Sequence, residues 1–298
     1  MKTQLKADIT LVFVAMFWGS SCLLTKLALE DLQEFNLVAA RFLIGFAVGL
    51  LVFFKKLKID KKVIGYAAAL SVNYFAVLAF MTFGVQHTTV SKAGFLTCLA
   101  GVFVPIINFL VFKKKPDRKT VFCASATFVG VYVLTMSGVR GGAGINLGDI
   151  LCTLCSVFFA VQLMLVSSFV KRTDALTLTT FQMGFVGVSN LMASFIFESP
   201  RLPSTQSSWI SVILLGIVCS IGATLAQNIA QKHTTATHAG IIFTLEPVFA
   251  LIFAYAFLGE ILSWGGYIGA AILLMSIVLL ELDFSSSRRI KSNYTRER

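Results

Sequence analysis

Apolar stretches of about 18 residues or more recur from one end of this chain to the other, and no soluble core has room for so many. Each is long enough to cross a bilayer as a helix. Only 13% of the 298 residues are charged and 57% are hydrophobic, whereas a soluble domain carries nearly twice that charged fraction. The strands punctuated by Gly and Pro, or the amphipathic helices, of a soluble fold this size are missing from the pattern. The chain reads as an all-α integral membrane protein.

Ten spans are expected, at roughly 8–29, 36–54, 63–84, 90–112, 120–138, 148–170, 176–198, 209–231, 236–258 and 264–282. The first run is too long for the apolar core of a secretory signal and lacks a clean cleavage site. The basic residues orient the bundle. With the N-terminus in the cytoplasm, inner segments hold Lys2, Lys6, the Lys55–Lys62 cluster, Lys113–Lys119, Lys171, Arg172, Lys232 and the tail. Outer segments hold only Lys26, Lys92, Arg140 and Arg201. The positive-inside rule therefore gives N-in and C-in, in the plasma membrane of a bacterial cell.

That asymmetry also accounts for the net charge of +11 without nucleic acid, since no aromatic residues interleave with the basic ones. The basic tail, residues 284–298, is expected to rest on anionic lipid. All six cysteines lie in apolar runs and read as packing residues; Cys152 and Cys155 form a CxxC with no partners at zinc spacing. No metal, cofactor or disulfide framework is expected. Oligomeric state is not legible.

The chain repeats itself. His87-Thr88-Thr89 returns as His233-Thr234-Thr235, 146 residues later, and at that offset Leu99 matches Leu245 and Phe103 matches Phe249. DITLVFVAMFWG from Asp8 is echoed by DILCTLCSVFFA from Asp149, 141 residues later; an insertion near ESPRLPSTQSS explains the difference. Two five-helix repeats are expected, 1–139 and 148–283, joined by a Gly-rich connection at 140–147. Five is odd, so the second enters the membrane inverted, the architecture of many secondary transporters.

Several segments then resemble the EamA family of the drug/metabolite transporter superfamily. They are Trp18-Gly19-Ser20-Ser21, Ala40-Arg41-Phe42, the FLTCLAGVFVP stretch of the fourth span, Leu245-Glu246-Pro247-Val248-Phe249 and Gly259-Glu260. The resemblance covers residues 8 to 282. It implies a ten-helix carrier of small organic molecules, often amino acids or related metabolites and commonly in export, with a central cavity. The repeats differ where it matters: Ala100-Gly101 stands in the first half where Glu246-Pro247 stands in the second, and Lys113-Lys114 where Gly259-Glu260 stands.

Polar residues at membrane depth are the candidate substrate-binding set: Trp18, Arg41, Asn73, Tyr74, Gln162, Gln182, Gln227 and Glu246. A charge at mid-bilayer costs at least ~2.5 kcal/mol, so Glu246 is expected to face the bundle interior or a wet cavity. It either packs protonated against a neighbouring helix, or binds a solute amine or a proton. Pro247 is expected to kink the ninth span. Arg41, read as the one basic residue inside an apolar span, either snorkels to the outer surface or meets a solute carboxylate. The amides either glue helices together or line a cavity. Glu246 and His238 are the candidate proton-coupling residues. Glu260 is expected to be structural and hydrated.

No phosphate-binding loop is present, so nucleotide hydrolysis by that route is excluded. An intramembrane enzyme on a lipid-linked substrate would need a second membrane carboxylate or a nucleophile–base pair, and neither stands at useful spacing. A membrane sensor or scaffold would need a recognition surface that short loops hardly provide. A secondary transporter of a small organic solute, not an enzyme, fits best.

Overall fold

The structure, a computed structural model, describes residues 2–113, 118–137, 144–170, 172–230, 242–243 and 245–281. The regular elements among them are helices. In chain order they are α1 (Lys2–Ala28), α2 (Glu34–Phe53), α3 (Lys61–His87), α4 (Val90–Thr97), α5 (Ala100–Phe112), α6 (Arg118–Ser137), α7 (Leu147–Phe169) and α8 (Ala175–Phe197). Then come α9 (Gln206–Leu214), a π-helical segment (Leu215–Gly222), α10 (Ala223–Ala230), α11 (Glu246–Leu258) and α12 (Trp264–Glu281). Seven stretches are long and apolar enough to cross a membrane: α1, α2, α3, α6, α7, α8 and the run from Gln206 to Ala230. Residues 90–104, 246–258 and 264–279 form shorter apolar helices.

Large apolar side chains cover the outside of the bundle, and polar residues are buried among the apolar ones inside. Phe122, Ile196 and Phe257 are among the large apolar side chains exposed on the helices, while Thr127, Gln182 and Asn190 are buried. Small residues let backbones approach: α6 crosses α12 where Gly130 and Gly269 face each other, and a Cβ on Gly130 would stand 2.9 Å from the Gly269 carbonyl oxygen.

Contacts between the early and late helices come in matched pairs. α3 packs on α7, and α1 on the α9–α10 run; α7 packs on α4 and α5, and α1 on α11. α2 lies along α8 and α6 along α12. Hydrogen bonds repeat the match: Asn73 Nδ2 donates to the Phe158 carbonyl (3.0 Å), and Cys219 Sγ to the Phe17 carbonyl (3.2 Å).

Two helices start at positions 146 residues apart, Ala100 and Glu246. Between α4 and α5 the chain leaves the helix at Cys98 and Leu99, and Leu245 in a turn conformation starts α11. Both half-helices have 13 residues, and both close on a left-handed residue, Lys113 (φ 53°) and Gly259 (φ 66°). Instead of a kink within a helix at Pro247, the described residues show a helix that starts one residue before it. Pro247 sits in the first turn of α11, where a missing N–H costs nothing because no acceptor would reach it.

One end of the bundle is laced with polar bonds. Lys26 Nζ donates to the carbonyls of Val85, Gln86 and Thr88 at 2.8–3.0 Å, satisfying the end of α3. Glu260 accepts from the Val90 and Ser91 amides, both at 3.0 Å, and so caps α4. It is structural as expected, but engaged rather than hydrated. Glu198 does the same for Phe35 and Asn36 at the start of α2. Lys92, placed by sequence in an outer segment, is 2% exposed within α4 and pairs with Asp149 of α7 at 3.2 Å. Arg41 is thus not the one basic residue inside. Lys92 tolerates burial because Asp149 neutralises it, while Thr88 and Asn146 fill the remaining carboxylate sites. Beside this cluster, the Asp31 carboxylate accepts from the Ser204 hydroxyl (2.6 Å) and amide (2.7 Å), which hold its pKa down at about 2.

Candidate functional site

Two adjoining chambers lie at the centre of the bundle, where the broken helices meet α1, α2, α3, α7 and the π segment. The first holds about 50 Å³ of water-sized space and is lined by Trp18, Ser21, Arg41, Tyr74, Cys155, Cys219 and Glu246, with apolar residues and Thr97 completing the wall. The second, about 20 Å³, is lined by Gln162, Gln182, Thr224, Gln227 and Asn228 together with Leu163 and Val166. Trp18, Tyr74 and Phe159 belong to both walls and form the neck between them.

The neck is built by packing. Trp18 meets Phe159 edge-on with ring centroids 6.1 Å apart, and Phe243 at 5.4 Å. Its indole N–H donates to the Cys219 carbonyl at 3.2 Å, an acceptor the π-helical turn presents. Gly19 makes room beside it: a Cβ there would lie 2.7 Å from the Glu246 carbonyl oxygen, so α1 and the start of α11 touch backbone to backbone. Tyr74 stands edge-on to Phe42 at 5.8 Å.

The charges in the first chamber are held differently from those at the laced end. Arg41, 6% exposed, donates through Nε to Ser220 Oγ at 3.1 Å and lies against the Phe42 ring, 5.2 Å from its centroid. The terminal nitrogens of its guanidinium have no hydrogen-bond partner among the described residues. Nor does the Glu246 carboxylate, and the two are not within ion-pair distance of each other. Glu246 opens the first turn of α11, where the helix dipole favours negative charge. A larger groove of about 750 Å³ lies between α1, α9 and α11, lined by residues such as Leu24, Leu214 and Phe253. Its wall is mostly apolar, with Ser20, Gln206, Ser207 and Ser211 its polar residues and no charged side chain among the described ones, so the central chambers, which hold Arg41 and Glu246, are the candidate site.

The sequence profile of the EamA-like transporter family matches the chain twice, over residues 5–136 and 146–282. The chain belongs to the EamA-like transporter family. An uncharacterized transporter of Archaeoglobus fulgidus is 31% identical over 281 residues, 94% of this chain and 87% of that relative. The uncharacterized transporter YcxC of Bacillus subtilis is 24% identical over 289 residues, 92% of each chain. A solved crystal structure shares the fold with a TM-score of 0.69 at 18% identity, covering 93% of this chain and 98% of that one. The EamA-like chain is thus a membrane transporter, multi-pass in the cell membrane.

Of the eight residues singled out from sequence, the EamA-like bundle gathers seven on the two chamber walls: Trp18, Arg41, Tyr74 and Glu246 on the first, with Gln162, Gln182 and Gln227 on the second. Asn73 lines neither. It donates to Gln162 Oε1 at 2.9 Å and orients that side chain. His233, His238, Gly141, Gly142 and the basic tail lie outside the described residues. His87 is exposed at the end of α3, its ring bonded to the Phe83 carbonyl at 2.9 Å. Sequence reasoning missed Ser220 and Phe159. Phe159 had a signal, since it stands 141 residues after Trp18 in the echoed segment; Ser220 had none.

Proposed function

We propose that this EamA-like protein moves a zwitterionic small solute, an amino acid or close relative, across the plasma membrane by alternating access, in the direction of export. The observation that carries this reading is a pair of opposite charges on one membrane-buried wall that are unpartnered among the described residues. Lys26 spends its three donors on three carbonyls and Lys92 pairs with Asp149, so both are saturated by the protein. Arg41 and Glu246 face the same chamber and, among the described residues, keep open valences there. A buried charge without a partner costs several kcal/mol, so such a site calls for a ligand that supplies both counter-charges. In this reading Arg41 takes the carboxylate, Glu246 the ammonium, and the Trp18 face adds a cation–π contact.

Alternating access requires two halves that can exchange shapes. The ten-span, N-in and C-in reading, with repeats at 1–139 and 148–283, draws support from seven long and three short apolar helices and from two family matches. The matched packing pairs and the equal half-helices α5 and α11 support it further. Export and the amino-acid class rest on the family resemblance. Glu246, whose carboxylate has no hydrogen-bond partner among the described residues, is also the proposed proton-coupling site; His238 is proposed with it.

The test is flux into proteoliposomes with a panel of labelled amino acids and non-zwitterionic metabolites. Saturable, solute-specific flux is expected for zwitterions, lost in Arg41→Met and impaired in Glu246→Gln with both variants still inserted. Normal uptake by Glu246→Gln across a range of pH would overturn the role given to that carboxylate. A folded protein that moves no zwitterion would overturn the substrate class.

A further inference from the structure

Part of the second chamber's wall is the repeat counterpart of the first's. Counterparts stand 141 residues apart in the first two spans of each half and 146 apart in the later ones. At these offsets Ser21, Arg41, Leu78 and Met81 of the first chamber fall on Gln162, Gln182, Thr224 and Gln227 of the second. Trp18 falls on Phe159, and the two rings meet at the neck. The duplication thus keeps the cavity in both halves but writes different chemistry on its walls: charge in one, carboxamides and a hydroxyl in the other.

Those carboxamides are short of partners. Asn73 Nδ2 donates to the Phe158 carbonyl, so the Gln162 atom it also meets must be the oxygen, and the Gln162 amino group is left for the chamber. Gln182 and Gln227 are 2% and 4% exposed, and neither side chain has a hydrogen-bond partner among the described residues. Unpaired carboxamides at membrane depth are costly, so the chamber is built for something that both donates and accepts. Among the described residues no charged side chain lines it, and an ionised group placed there would lose its hydration without gaining a counter-ion from them.

We infer that this chamber is the specificity subsite for the solute's side chain, and that it selects small, uncharged, hydrogen-bonding side chains, hydroxyls and carboxamides, over apolar or charged ones. The inference rests on the proposed zwitterion site, whose charged chamber holds the α-amino and α-carboxyl groups. A site that hydrogen-bonds a polar group rejects the isostere without it because its own groups are then left unpaired.

The experiment is competition against labelled threonine in proteoliposomes of the full chain, with near-isosteric pairs: threonine against valine, and asparagine against leucine. In the wild type the polar member of each pair is expected to compete about tenfold or more better. In Gln182→Leu and in Gln227→Leu, each checked for a monodisperse elution profile, the ratio is expected to fall toward one. Equal competition within both pairs in the wild type overturns the subsite while leaving the zwitterion site standing, and that result needs no variant to fold. Unchanged ratios in both variants overturn it too. If no zwitterion of any side chain is bound or moved, the subsite falls together with the function it rests on.

Discussion

A cation survives inside a membrane bundle when acceptors meet its donors, and the interior cations here differ in how far that is done. Lys26 and Lys92 are fastened by the protein; among the described residues Arg41 is fastened only through Nε. The first two should therefore read out in stability and the third in transport. Lys92→Met is expected to strand the Asp149 carboxylate and cost about 3–5 kcal/mol, whereas replacing both partners by apolar residues should cost much less. Thermal unfolding in detergent with the two single variants and the double variant checks this. At the same end, Asp31 has its pKa lowered from about 3.8 to about 2 by the Ser204 bonds. Its contribution is then fully present above about pH 3.8 and is lost as pH falls through about 2. A Ser204→Ala variant, which loses the hydroxyl bond but keeps the amide ones, should show a smaller acid-range slope in the pH dependence of unfolding.

The half-helices decide where Glu246 sits. α11 begins at the residue whose carboxylate matters, because Leu245 breaks the helix and Pro247 belongs in a first turn. Its counterpart α5 ends on Lys113 in the left-handed region, which a side chain disfavours by about 1–2 kcal/mol, where α11 ends on Gly259. Lys113→Gly should therefore stabilise the protein by about 0.5 kcal/mol after the greater chain entropy of glycine is counted, visible as a small rise in melting temperature. Gly19→Ala should do the opposite and more: its methyl meets backbone of α11, so α1 must move away from Glu246. A fall in zwitterion affinity together with a lower melting temperature is expected, whereas unchanged binding would show that the α1–α11 contact does not set the chamber.

At the scale of the whole molecule the proposed orientation is open to a direct test. Lys58→Cys should react with an impermeant thiol reagent only from the cytoplasmic side, and Arg201→Cys only from outside. Reversed labelling would overturn the N-in reading and would leave the chambers as they are.

Much of this was legible in the sequence because hydrocarbon leaves few choices. A backbone crossing it must be helical, so apolar run length sets the spans, and a carboxylate within one must face inward, which picks out Glu246. The repeat offsets, too, are readable without any structure. What only the tertiary structure decided is partnership. Arg41 meets Ser220, Asn73 meets Gln162 and Lys92 meets Asp149 across separations of 179, 89 and 57 residues. Depth in the membrane can be counted along a chain. Whether a polar group at that depth is satisfied by its own protein or left open for a solute depends on how each helix is rotated against its neighbours. That rotation is set by close contacts such as those at Gly19 and Gly130, between segments far apart in sequence.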